Sequence, residues 1–182
     1  MNKIIYLGMA ARMTSDKCHD LVIKMINENK DYFYKNNIKF MFAGNGTLYE
    51  ELKKKVDDLK ISSLVLFSGL LSENEMIKWY KKLTTYIHIS KDETTSTSIL
   101  QAMSMSLPVI ASNIGGNKNL LKKIHNKNNI ILCNNDINKI FNNIKLVIFD
   151  KKKLKNMALL SRKTVEKFFS NDVMFKKYKK LF

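Results

Sequence analysis

Apolar residues in this chain fall into short continuous runs, separated by stretches where they recur every three or four positions. The runs Ile4 to Gly8, Ile38 to Gly44, Ser63 to Gly69, Tyr86 to Ile89, Val109 to Ala111 and Asn129 to Cys133 predict six strands. They are continuous rather than alternating, as expected of strands covered on both faces. Between them lie helical stripes: Leu48, Leu52, Val56 and Leu59; then Met76, Trp79, Tyr80 and Leu83; then Ile99, Leu100 and Met103; then Ile137, Ile140, Phe141, Ile144, Val147 and Ile148. Another helix is expected from Leu21, with Ser15 or Asp16 as its cap. Lys151 to Phe169 predicts one or two more helices, and Val173 to Phe182 a last short one. Thr47 with Glu50 and Ser72 with Glu75 have capping-box spacing, a serine or threonine three residues before a glutamate.

Strands alternating with helices, with no hairpin signal, predict an α/β fold with a doubly wound parallel sheet of about six strands. Residues 1–170 read as one Rossmann-like domain and residues 171–182 as a separable terminal helix. The polar segment Asn126 to Asn129 reads as a short loop. The glycines Gly8, Gly44, Gly46, Gly69, Gly115 and Gly116 are each expected at or just beyond the C-terminal end of a strand. In open α/β sheets that edge binds ligands, although strand-to-helix turns use glycine for their own geometry as well.

Composition narrows this picture. A chain of 182 residues with 45% hydrophobic and 26% charged residues is sized for one globular domain. No apolar run approaches the roughly 20 residues that span a bilayer, and the immediate entry into a strand leaves no room for a signal peptide. The cysteines Cys18 and Cys133 give neither a disulfide framework nor a metal-ligand spacing, which fits a reducing cytoplasmic setting. The net charge of +16 reads either as a lysine-rich solvated surface or as attraction to an anionic partner such as the inner face of a membrane. No aromatic-interleaved basic motif points to nucleic acid. With no D-x-D motif and no His/Cys cluster, no metal is expected.

Candidate chemistry concentrates in Ile87 to Gly116, read as strand, polar loop, helix, strand and glycine turn. Thr95, Ser96 and Thr97 offer capping hydroxyls at a helix start, beside the end of a strand. Free N–H groups and the helix dipole there attract anions. Glu93 lies in the loop, and Gln101 lies eight residues on within the helix. Arg12 stands in the first strand-to-helix loop, with Lys17 five residues later; of the 32 basic residues only Arg12 and Arg162 are arginine. Arginine's planar fork grips phosphate through two hydrogen bonds, which lysine does not reproduce. Gly44-Asn-Gly46 lacks the third glycine of a dinucleotide fingerprint and follows the second strand, so no nicotinamide or flavin site is favoured. His88 reads as a packed or hydrogen-bonded histidine; His19 and His125 read as surface or loop residues. Met103, Met105 and Trp79 read as packing, and Asp57-Asp58 as a solvated face.

The spacing Glu93-x7-Gln101, the segment Leu107 to Ser112, the Arg12 to Asp20 loop, Phe42 to Gly46, Leu66 to Gly69 and Gly115-Gly116 fall in the order found in one family. Together they resemble the donor-binding, C-terminal half of the GT-B-fold retaining glycosyltransferases of family four. The chain departs from that pattern at Cys18 (usually glycine), Gln101 (usually glutamate), Asn119 (often glutamate) and Thr94 to Thr97 (commonly Gly-Phe-Gly). The resemblance implies a donor site for a nucleotide diphosphate sugar, with Arg12 and Lys17 on the diphosphate. Thr94, Thr95, Ser96 and Thr97 would offer the helix-start amides, Glu93 would bind the sugar hydroxyls and Gln101 the ribose. Arg12, Lys17 and Glu93 are the expected catalytic residues, and no cofactor or metal is implied. It also implies an N-terminal acceptor domain, onto which residues 171–182 would pack and without which transfer is not expected. The implied products are cell-surface polysaccharides, such as lipopolysaccharide or capsule, or glycolipids, made in the cytoplasm or peripherally at the membrane's inner face. A nucleotide-sugar-binding or interaction module without transfer activity remains a second reading. Nucleic-acid binding through charge alone is a third, and it would show steep salt dependence.

Overall fold

The computed structural model describes residues 3–124 and 127–179. Six parallel strands form the sheet: β1 (Ile5–Ala10), β2 (Ile38–Ala43), β3 (Val65–Gly69), β4 (Thr85–His88), β5 (Val109–Ser112) and a last strand, Ile130–Cys133, which becomes β8 in chain order. Their order across the sheet is β3-β2-β1-β4-β5-β8, so the strand order reverses between β1 and β4. Such a switch point opens a crevice at the carboxyl ends of the strands.

Two apolar layers cover the sheet, one on each face. Strand alternation sends Leu7, Met9, Phe40, Phe42, Ile87 and Ile110 to one layer, under α1 (His19–Glu28), α2 (Lys30–Lys35), α3 (Tyr49–Asp58) and α7 (Ile137–Ile148). It sends Ala10, Met41, Tyr86, Val109 and Ala111 to the other, against α4 (Glu73–Lys82) and α5 (Thr97–Ser104). Each large aliphatic or aromatic side chain taken fully out of water stabilises the fold by roughly 1.5–3 kcal/mol before entropy is counted. A short α6 (Gly115–Leu120) follows β5, and α8 (Lys151–Thr164) leads through a π-helical turn (Val165–Phe169) to α9 (Asn171–Tyr178).

Several local expectations are corrected. The Ser72–Glu75 capping box forms, with the Ser72 amide donating to Glu75 Oε2 at 2.8 Å. The Thr47–Glu50 box does not form. The Leu48 and Tyr49 amides already donate to Met13 O and Gly46 O, and α3 begins without a side-chain cap. Ser15 and Asp16 do not cap α1; they form a 3-10 turn, and Cys18, left-handed at φ 43°, precedes the helix instead. Gly8 lies inside β1 rather than at its end. A side chain there would meet Leu83 and Trp79, so this glycine serves packing between β1 and α4. Lys127–Asn128 is not loop: as β7 it pairs antiparallel with β6 (Lys123–Ile124). His125 lies outside the described residues. His19 is buried in the core rather than exposed, edge-on to Phe42.

Candidate functional site

The loop after β1 and the loop after β4 meet over the switch point. Lys17, at the end of the 3-10 turn, points its ammonium at three acceptors: Glu93 Oε1 at 2.8 Å, Asp16 Oδ2 at 3.2 Å and the Asp92 carbonyl at 3.3 Å. An ammonium has three N–H donors, so all three are engaged. Burial pulls the Lys17 ammonium toward release of its proton, but the bonds to Glu93 and Asp16 outweigh it and hold its pKa above the usual lysine value.

Glu93 is held at both ends. Its carbonyl accepts from the Gly116 amide at 2.9 Å, and a Cβ on residue 116 would stand 2.1 Å from that oxygen, so only glycine allows the approach. Its carboxylate takes His88 Nε2 at 2.6 Å on the same oxygen that accepts Lys17. The hydrogen bond from His88, ahead of the one from Lys17, keeps the carboxyl below the ordinary glutamate range despite partial burial. Behind His88, the Tyr86 hydroxyl lies 3.4 Å from Nδ1, donates to the Ala10 carbonyl at 3.0 Å and accepts from the Ala10 amide at 3.2 Å. Tyr86 and His88 are two apart on β4 and share one face of the strand, a relation that alternation alone could have revealed.

The remaining expected residues distribute around this pair. Ser96 is the N-cap of α5, its hydroxyl accepting from the Ile99 amide at 3.3 Å, and it is buried. Thr94, Thr95 and Thr97 are exposed beside it. Gln101 is exposed on the second turn, where its side-chain oxygen accepts from the Tyr80 hydroxyl at 3.3 Å. Arg12 is not brought onto Glu93. It lines a separate groove of about 250 Å3 with Gly44, Asn45, Leu70, Leu71 and Met76, and among the described residues no carboxylate pairs with it. Gly44 shapes that groove: at φ 122°, a side chain there would lie 2.1 Å from the Ala11 carbonyl. The edge thus offers a free guanidinium, an engaged ammonium, a low-pKa carboxylate and a capped helix start. That set suits a ligand with two phosphates and a polyhydroxylated group.

The family described as glycosyl transferases group 1 matches residues 2–164. Among curated relatives, the alpha-monoglucosyldiacylglycerol synthase of Streptococcus pneumoniae is 30% identical over 76 residues, covering 42% of this chain and 17% of that protein. Protein CapJ of Staphylococcus aureus is 27% identical over 123 residues, covering 67% of this chain and 31% of that protein. This chain therefore spans less than a third of either relative. Among solved structures, TarM of S. aureus, crystallised with UDP among its ligands, superposes with a TM-score of 0.84 at 19% identity over 100% of this chain and 36% of that one. Anabaena HepE, crystallised with UDP and glucose, gives 0.82 at 19% identity over 98% and 48%. The C-terminal domain of LpcC, a group 1 glycosyl transferase from Francisella tularensis, gives 0.78 at 20% identity over 92% and 87%. The fold is the Rossmann-like C-terminal domain of the GT-B architecture.

Proposed function

The chain belongs to the glycosyl transferases group 1 family, and from that membership we propose that it is the donor-binding half of a retaining glycosyltransferase that takes a nucleotide diphosphate sugar. The observation that carries this reading is the presence of both the Lys17–Glu93 pair and, in a separate groove, the unpaired Arg12 at the carboxyl edge of the sheet. In the proposed arrangement the leaving diphosphate gains negative charge as the sugar–oxygen bond breaks. Arg12 and Lys17 stabilise that charge, helped by amides at the start of α5. Glu93 accepts hydrogen bonds from the sugar hydroxyls, and Gln101 faces the ribose. The backbone around Gly44 and Leu70 would flank the base. UDP in the TarM and HepE structures makes uracil the first base to try. No metal takes part in this arrangement.

The acceptor would bind a second domain outside these 182 residues, and α9 is proposed to pack against it. A glycolipid or cell-surface polysaccharide acceptor is supported by the diacylglycerol-linked product in the pneumococcal relative's name and by the charge of +16, which suits an anionic membrane face. Among the described residues no helix is long and apolar enough to cross a membrane. The competing reading, a nucleotide-sugar-binding module without transfer activity, rests on Gln101 in place of the usual glutamate.

Calorimetric titration of UDP, GDP and ADP into the chain and into Arg12→Ala tests the reading. One nucleotide is expected to bind in the micromolar to millimolar range, weakened about tenfold or more by loss of the charged hydrogen bonds. A folded chain that binds none of them would overturn it.

A further inference from the structure

We propose that His88 is the positioning residue of this site: it holds the Glu93 carboxylate in place when Lys17 turns from Glu93 to the donor's diphosphate. The inference rests on the donor-binding reading above.

Glu93 stands in a loop of polar residues, Lys91 to Ser96, where little apolar packing fixes a side chain. Two groups hold its carboxylate, both on Oε1. They are not equivalent. Lys17 is a flexible four-carbon arm whose three donors are already shared among Glu93, Asp16 and the Asp92 carbonyl. A diphosphate can bind Lys17 only by taking one of those donors, and the stronger anion draws the ammonium away from Glu93. At that moment Glu93 loses one of its two anchors.

His88 cannot follow. It is 1% exposed, on a central strand, and its ring lies nearly parallel to that of Tyr86 at 22° with centroids 6.1 Å apart. Tyr86, fully buried, is itself tied at both its donor and its acceptor to the backbone of Ala10 on β1. A rigid line therefore runs from the first strand through Tyr86 and His88 to the carboxylate. The Nε2–Oε1 distance of 2.6 Å is that of a short charge-assisted hydrogen bond. Because the carboxylate accepts, Nε2 carries the hydrogen. Among the described residues Oε2 of Glu93 has no partner, so the oxygen left over is the one that can meet a sugar hydroxyl. The charged and titratable groups around His88 are Glu93 and Lys17 in front, Tyr86 behind and His19 from α1, with Asp16 one step further on Lys17.

The geometry separates His88 from both Lys17 and Arg12. Loss of a phosphate-binding cation weakens nucleotide and nucleotide sugar together. Loss of His88 is expected to weaken only what the sugar adds. The test is calorimetry on the full chain with UDP and UDP-glucose, GDP and GDP-mannose, and ADP and ADP-glucose, for wild type, His88→Leu and His88→Gln. Glutamine can place an amide donor near the position of Nε2, and leucine cannot. The expected result is nucleoside diphosphate affinity within about threefold of wild type in both variants, with the sugar's added affinity reduced about tenfold in His88→Leu and largely restored in His88→Gln. Equal loss of nucleotide and nucleotide sugar, or no change in either, would overturn the proposal.

A ligand-free measurement separates this inference from the reading beneath it. Carbon-13 NMR titration of the Glu93 carboxyl, assigned with Glu93→Gln, is expected to show a higher midpoint in His88→Leu than in wild type. An unchanged midpoint overturns the role of His88 whatever the chain binds. A raised midpoint in a chain that binds no nucleotide overturns the donor-binding reading instead, and with it the need for a positioned Glu93.

Discussion

The two halves of the sheet's carboxyl edge are built on different principles. Over β4 and α5, the wall is made of interlocked side chains: Lys17, Glu93, His88 and Tyr86, each fixed by the next. Over β1, β2 and β3, the groove is made of backbone brought close by Gly44, with one exposed cation, Arg12, and exposed Leu70 at its rim. The wall is preorganised by electrostatics, so it should answer to pH and to single charge changes. The groove is preorganised by chain geometry, so it should answer to added atoms. An interlocked wall keeps a reacting group within a narrow range of positions. A groove of backbone can read a planar base without committing a charge.

The comparison breaks most visibly at Gly44. Gly44→Ala places a methyl 2.1 Å from the Ala11 carbonyl at a φ of 122° that side chains rarely adopt. We expect a stability loss of about 3 kcal/mol or more in urea unfolding, because strain and overpacking add. The Glu93 carboxyl titration should stay unmoved, since the wall shares none of these contacts.

Acid should attack the other half. His19 lies beneath the Lys17 loop, buried, with neither ring nitrogen partnered among the described residues. Burial, with the neighbouring His88 adding to it, lowers its pKa to about 4. A histidine whose folded pKa is depressed leaves the unfolded chain binding more protons at intermediate pH. Its contribution is therefore fully present above the unfolded value near 6.5 and is lost as pH falls toward 4. The loss should amount to about 3 kcal/mol across that window. Glu93 works in the same direction: its carboxyl is depressed by the His88 bond, so its contribution is also lost on acidification. Denaturant melts of wild type and His19→Phe between pH 7 and 4 should show a flatter profile in the variant. Parallel profiles would show that His19 carries none of the acid sensitivity.

The smallest effect is expected at Gln101. Gln101→Glu would give two charged oxygens where there is one neutral one, and the Tyr80 hydroxyl can still donate to it. Nucleotide affinity should tighten by about 1 kcal/mol, roughly fivefold, as read by calorimetry. No change would mean that the second turn of α5 lies away from the ribose.

Particular elements show what the sequence could and could not reveal. The inner strands β1, β2, β4 and β5 were readable because they are largely buried and so are written as continuous apolar runs, and the edge strands β3 and β8, only partly buried, still carry short apolar runs. Glu93 and Ser96 were readable because a loop followed by a capped helix has a fixed spacing. The β6–β7 pair was not: Lys123 to Asn128 carries no apolar alternation, and its base is tied by Asn129, whose side chain accepts from the Lys122 amide and donates to the Leu120 carbonyl. The burial of His19 was written in the chain, since His19, Val22, Ile23 and Ile26 lie on one helical face, but polarity outweighed spacing in the reading. The Thr47 box failed for a tertiary reason: the Met13 carbonyl of the β1 loop takes the Leu48 amide, and α3 begins one residue later with Leu48, not Thr47, at its cap. The partnership of Lys17 with Glu93 joins residues 76 apart and depends on the strand order, which local patterns do not encode.

One measurement bears most directly on the whole picture: an amide chemical-shift map of the labelled chain titrated with UDP, GDP and ADP. A larger cavity, about 560 Å3, lies elsewhere, along the open edge of β8 beside Lys127, Lys152 and Met157. If the carboxyl edge of the sheet is the donor site, the shifts should cluster at residues 10–17, 44–46, 69–71, 93–97 and 115–117. They should leave residues 127–132 and 150–160 unmoved. Shifts confined to the β8 edge, or none with any nucleotide, would contradict it.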